Sequence, residues 1–247
     1  MSCIVNPLEN GATLKVNVCL LLFIYSSQKW GKMMETKVNN TFFKKELKRE
    51  FSDIWRKAQT CANRSKKNKL LTRNHIQAIC VYTSDYKKFY QTFNKAVRTQ
   101  RNAYGTSFPY HSLHFWLTDA IQILNKEKEC LTTYRRTNLA FTGDVGQLIR
   151  LRSFVSTSKL SNLIQFGTKT CFKIRTCLGA YLEELPELKD QEQEVLVPPY
   201  ELFNITEKDT TGKKIYDCET VYNLFLGHCG LQLSMAPIPQ PTRCTIF

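Results

Sequence analysis

The sequence predicts an α+β fold, a helical N-terminal half followed by a mixed-β core. Three observations predict it. Apolar residues recur at helical spacing up to about Lys126. After Cys130 they fall into short β-type runs separated by turn signals. Helices first and strands later argue against an alternating α/β arrangement. The 247 residues can bury a real core, and 43% hydrophobic with 23% charged residues marks a globular chain.

The elements follow in order. Val16 to Tyr25, "VNVCLLLFIY", has the length of a signal-peptide apolar core, with Lys15 before it and Ser26 and Ser27 after it. It is too short to span a membrane. Residues 1–27 are therefore expected to be a leader. Residues 34 to 65 read as helical, with Phe42, Phe43, Leu47, Phe51, Ile54 and Trp55 near one face and Lys and Arg opposite. Asn74 to Tyr82 is a further apolar-periodic segment. Asp85 to Arg98 reads as a helix whose aromatic stripe, Phe89, Tyr90 and Phe93, belongs to a core and not to a base-stacking surface. Ser112 to Lys126 is another helix, and His114, between Leu113 and Phe115, reads as a satisfied core histidine. The strand runs are "LTTYRRT", "SFVSTS", "TCFKIRT", "EVLV", "YELFNITE" and "KKIYDCETVYNLFL". A single domain over 34–230 and an irregular Pro-rich tail over 231–247 complete the expected organisation. The final Cys244-Thr245-Ile246-Phe247 fits a prenylation box, which a secreted chain would not present to the cytosolic enzyme.

Composition narrows the function classes. The net charge of +14 suits an anionic partner, whether nucleic acid, membrane surface or phosphate-bearing ligand, and equally a solvated basic surface. Ten cysteines without a zinc-type spacing read as disulfides and not as metal ligands. Sequons at Asn39, Asn63 and Asn204 agree with a secretory route. No glycine-rich nucleotide fingerprint is present: "TGDVGQ", Thr142 to Gln147, lacks the strand-loop-helix setting.

Three polar islands stand among the strands. Arg135 and Arg136 lie in "TYRRT", and the planar fork of arginine suits a pyrophosphate. Ser156 and Ser158 alternate in "SFVSTS", so both face one way and can hold a carboxylate or a ribose hydroxyl. Glu192 and Glu194 precede an apolar run that Pro198 and Pro199 stop. On a strand edge the two carboxylates would share a side, where their repulsion costs stability. A carboxylate can also stabilise an oxocarbenium-like centre. Singly the islands have plain readings: solvated loop arginines, strand-edge serines, an acidic surface turn. Together they describe a site for a phosphorylated sugar that loses a leaving group.

The order Arg135, Ser156-Thr157-Ser158, Glu192-Gln193-Glu194 resembles the signature of the vertebrate arginine-specific mono-ADP-ribosyltransferases, the R-S-E-x-E type related to bacterial ADP-ribosylating toxins. "FGTKTCFKIRTCLGAYL", "EVLVPPYELFNIT", "VYTSDYKKFYQTFNKAVR" and "LHFWLTDA" are similar to the flanking segments of that family, so the resemblance spans about Met34 to Leu226. It implies an NAD-binding β-core and transfer of ADP-ribose from NAD to arginine side chains of a protein acceptor. NAD is then the donor substrate, no metal is needed, and no specific nucleic acid is bound. The resemblance assigns Arg135 to the NAD phosphates and Ser156 to bracing the catalytic glutamate and the nicotinamide side. Phe166 would stack on nicotinamide, Glu194 would hold the nicotinamide ribose and stabilise the cation, and Glu192 would orient or deprotonate the acceptor guanidinium. It implies a disulfide from Cys130 to Cys177, and another from an N-terminal cysteine to one near Cys218. A secreted or extracellular monomer is expected.

The sequence departs from the family pattern in three respects, the third being an atypical leader and Pro-rich tail. Arg136 replaces the usual glycine, which permits a close backbone approach. The bulkier side chain either crowds the site or adds a phosphate contact, so an inactive secreted binder with a closed NAD site is the alternative expectation. The N-terminal cysteine expected shortly before Lys32 is absent, leaving Cys218 free or paired with Cys19, Cys229 or another cysteine.

Overall fold

The computed structural model describes residues 28–47, 51–64, 69–104, 106–125, 129–182, 192–211 and 217–227. The expected leader, the tail, Cys19, Cys229 and the prenylation box lie outside them. Helices come first: α1 (Gln28–Lys37), a π-helical turn (Val38–Phe42), α2 (Phe43–Glu46), α3 (Phe51–Arg64), α4 (Arg73–Thr83), α5 (Phe89–Thr99) and α6 (His111–Leu124). Within the stretch 34 to 65, expected as helical, every described residue but Leu47 is helical. Eight strands follow among the described residues: β1 (Leu131–Thr137), β2 (Leu148–Ile149), β3 (Val155–Ser158), β4 (Thr170–Thr176), β5 (Ala180–Tyr181), β6 (Glu194–Val197), β7 (Phe203–Asp209) and β8 (Thr220–Leu226). They form one sheet in the order β2-β7-β8-β4-β1-β3-β6-β5. Among these neighbours only β4 and β8 run parallel, so the sheet is mixed.

The helical half is built around aromatic rings. Phe51, Ile54 and Trp55 on α3, and Phe89 and Phe93 on α5, are buried, as their spacing predicts. Phe43 meets Trp55 and Trp116 edge-on, the geometry that ring quadrupoles favour. Phe154, Ala180, Leu182 and Leu196 join the same core. The helices therefore pack on the β3-β6-β5 end of the sheet. A second core, with Ile149, Phe172, Val197, Phe203 and Tyr222, fills the other side.

Polar groups join pieces distant in sequence. Glu46 is buried at the start of α6, where it accepts from the backbone N–H of His111 at 2.7 Å and of Ser112 at 3.1 Å. A carboxylate there satisfies N–H groups that have no partner inside the helix. Thr72 caps α4 reciprocally with His75, and His75 Nε2 lies 2.9 Å from Asp119 on α6. His114 is buried with Nδ1 2.8 Å from the Tyr104 hydroxyl. Burial pushes its pKa down to about 3, in keeping with a neutral core histidine. Glu201, fully buried, holds the turn after β4 by accepting from Thr176 Oγ1 and from the N–H groups of Cys177 and Leu178. The Cys130–Cys177 disulfide implied by the resemblance is present. Cys218, just before β8, pairs with Cys171 on β4, so no N-terminal cysteine is its partner. Cys61–Cys80 ties α3 to α4, a pairing that spacing alone does not reveal.

Candidate active site

The site forms where the sheet is nearly split. β1 and β3 meet through one residue pair, Tyr134 opposite Ser158, whereas β1 and β4 pair along seven. Strand alternation on β1 separates the two arginines: Arg135 is exposed and Arg136 is buried. Arg135 reaches across the seam, where Nη1 donates to the Ser156 carbonyl at 2.6 Å.

β3 and β6 supply the carboxylates and their supports. Ser156 stands opposite Leu196, and Ser158 opposite Glu194. Thr157 locks the pair by donating from Oγ1 to the Val195 carbonyl at 2.8 Å. Ser158 Oγ donates to the Glu192 carbonyl and accepts from the Leu160 N–H, so it fixes the backbone that presents Glu192.

The two glutamates are arranged differently from the sequence expectation. Glu194 is the first residue of β6, buried, and β6 is an inner strand flanked by β3 and β5. Glu192 lies before the strand and is exposed. Gln193 between them has φ 42°, in the left-handed region that non-glycine residues rarely adopt. The pair is therefore not two steps of one edge strand. A turn lifts Glu192 into solvent while Glu194 starts the buried strand. One carboxylate is dry and one wet, which lessens the repulsion that a shared strand face would impose.

Burial raises the Glu194 pKa from its ordinary 4.5 to about 7. The Ser156 hydroxyl, donating to the carboxylate, opposes the shift; the Glu192 charge adds to it and Arg135 reduces it. Four of the residues expected at a site thus act on one another: Arg135, Ser156, Glu192 and Glu194. Phe166 lies on a 3-10 turn, Ile164–Phe166, that packs against β1, and it is 47% exposed.

Tyr82, on α4, belongs to this arrangement and is not apparent from the sequence. Its hydroxyl donates to the Phe154 carbonyl at 2.8 Å and accepts from Asn94 Nδ2 at 3.1 Å. Ser156 lies next to it, and burial raises its pKa to about 12. Its signal is a polar tip at the end of the apolar segment "NHIQAICVY".

Arg136 faces away from Arg135. Its Nε donates to the Ser161 carbonyl at 3.1 Å, and its Nη1 lies 3.4 Å from the Gly167 carbonyl and 3.5 Å from Cys218 Sγ. It does not reach over the cleft, so the expectation of a site closed by Arg136 loses its physical basis. Among the described residues, no three His, Cys, Asp or Glu side chains converge as a metal site would require.

The chain is similar to known proteins. A family model described as NAD:arginine ADP-ribosyltransferase matches residues 24–217. Ecto-ADP-ribosyltransferase 4 of Mus musculus is 30% identical over 255 aligned positions, covering 94% of this chain and 84% of its own length. Ecto-ADP-ribosyltransferase 5 of Bos taurus is 37% identical over 154 positions, with 57% of this chain and 48% of its own length covered. The chain spans about half the length of the ecto-ADP-ribosyltransferase 5 relatives from Bos taurus, Rattus norvegicus and Mus musculus. A crystal structure of a mutant of the eukaryotic mono-ADP-ribosyltransferase ART2.2 in complex with NAD superposes with a TM-score of 0.64 at 25% identity, covering 80% of this chain and 86% of that one. On the extent of the family match and the agreement of fold, the chain belongs to the NAD:arginine ADP-ribosyltransferase family.

Proposed function

We propose that the protein is a mono-ADP-ribosyltransferase that moves ADP-ribose from NAD to arginine side chains of proteins and releases nicotinamide. The observation that carries the reading is the buried Glu194 carboxylate, braced by Ser156, beside the Arg135 guanidinium and a second, solvent-facing carboxylate. In this reading Arg135 holds the NAD phosphates with its planar fork. The glycosidic bond between ribose C1′ and nicotinamide N1 breaks, and nicotinamide leaves with the electron pair. The ionised Glu194 stabilises the oxocarbenium left behind. Glu192, on its exposed turn, meets the acceptor guanidinium and takes its proton as a guanidine nitrogen bonds to C1′. Phe166 offers a ring for the nicotinamide to stack on. The chemistry needs no metal.

We also propose an extracellular or cell-surface setting, in keeping with the ecto-enzymes it resembles and with a family fold held by disulfides. Among the described residues no helix is long and apolar enough to cross a membrane. A single catalytic domain over 34–230, acting as a monomer, completes the proposal.

The test is transfer of labelled ADP-ribose from NAD to agmatine, a small guanidinium acceptor, beside a Glu194→Gln control. Label that depends on Glu194 is expected. Transfer retained by the Glu194→Gln variant would overturn the assignment.

A further inference from the structure

Arg136 is the buried neighbour of Arg135 on β1, and the structure gives it a use. The segment between β3 and β4 carries Phe166 on the Ile164–Phe166 turn, and that turn buries none of its own side chains. Ile164 is 61% exposed and Phe166 47% exposed. With none of the turn's own side chains buried, polar bonds around it bear on how it is held; after the turn, the Thr168 N–H donates to Asn138 Oδ1 at 3.2 Å and the Lys169 N–H to the Thr137 carbonyl at 3.1 Å. Arg136 adds a bond at each end: Nε bonds to Ser161 O before the turn and Nη1 reaches Gly167 O after it. The segment also crosses the end of β1 closely. A Cβ on Gly167, whose φ is 126°, would lie 2.5 Å from the Thr137 carbonyl carbon. On the third side, Nη1 contacts Cys218 of the Cys171–Cys218 bridge, and Cys171 stands directly opposite Arg136 on β4. The guanidinium thus spans from the covalently tied floor of the sheet to both ends of the exposed turn.

We infer that Arg136 is a positioning residue whose guanidinium fork fixes the turn presenting Phe166 to the donor site. The inference rests on the reading of Phe166 as part of the NAD site. A fork can serve two carbonyls at once; an ammonium is a single point of charge. Lysine at this position therefore keeps the charge and loses the clamp.

The test uses Arg136→Lys and Arg136→Met, each alone and combined with Phe166→Trp as a fluorescent reporter read against the parent. NAD-dependent nicotinamide release gives kcat and KM. Both variants are expected to raise KM for NAD about tenfold with kcat within about twofold, and to lower the reporter's anisotropy without NAD present. An unchanged KM and an unchanged anisotropy would overturn the inference. So would joint collapse of kcat and KM with loss of a cooperative melting transition, which marks a merely structural arginine. If the parent protein releases no nicotinamide, the activity reading fails by itself. The reporter then decides the clamp alone: lower anisotropy in both variants upholds it, and equal anisotropy overturns it.

Discussion

Glu194 carries the sharpest consequence at the scale of a single residue. Its pKa is raised to about 7, chiefly by burial. Between the ordinary value of 4.5 and about 7, the folded protein holds a proton that the unfolded chain has released. Stability therefore falls as pH rises through that window and levels off above it, by up to about 3 kcal/mol from this group. Glu194→Gln removes the dependence, so the variant is expected to be more stable than the parent above pH 7 and little different near pH 4.5. Urea denaturation at a series of pH values measures this. Catalysis runs the other way, because the cation needs the ionised form. kcat/KM for NAD is expected to rise with pH to a plateau, with an inflection near the Glu194 pKa. Glu192→Gln removes a like charge that holds this pKa up, so it should move the inflection to lower pH. An unmoved inflection would mean that the two carboxylates do not sense each other.

Between elements, the site depends on one tyrosine that joins α4 to the approach to β3. Tyr82 OH binds the Phe154 carbonyl 72 residues away, accepts from Asn94 and contacts Ser156. With its pKa raised to about 12 it remains a donor at any working pH. Tyr82→Phe leaves the Phe154 carbonyl and the Asn94 amide without this partner in a buried place. It is expected to cost about 1–3 kcal/mol in urea denaturation and to lower kcat/KM for NAD by loosening Ser156. A variant as stable as the parent would show that the bond is not what joins the halves. Such links are the part the sequence hides. β1 can be read to the residue, because Leu131 to Thr137 is a β-rich run bounded by turn signals. Ser156 and Glu194 are readable because family motifs place them. Tyr82, and Glu46 with His111 65 positions on, are not, since no local period encodes a contact made only by folding. The two-residue strands β2 and β5 are too short for any alternation to show. Strand spacing puts Glu192 and Glu194 on one side of a single strand; the left-handed Gln193 breaks that rule, which a period of two does not encode.

Across the whole molecule the charge is unevenly shared. Residues 1–130 hold 22 of the 35 Lys and Arg but 9 of the 21 Asp and Glu, a balance of +13; residues 131–247 hold 13 and 12, a balance of +1. Nearly all of the net charge thus belongs to the helical half and the segment before it. There Lys44, Lys45 and Lys95 are exposed. In the sheet half, by contrast, Lys169 pairs with Glu219 and Lys208 with Asp144. A molecule so divided is expected to meet a polyanionic surface chiefly through its helical half. The attraction is screened over about 10 Å at 0.1 M salt, so it acts at the exposed face and fades at high ionic strength. Elution from a sulfonated cation-exchange resin at neutral pH measures it. Replacing Lys44, Lys45 and Lys95 by Gln is expected to lower the eluting salt concentration clearly more than replacing Lys169, Lys173 and Lys208, although each triple variant removes the same formal charge. Equal reductions would mean that the protein presents itself as a uniformly charged sphere. The unequal result would show that the helical half carries the charge that such a surface senses.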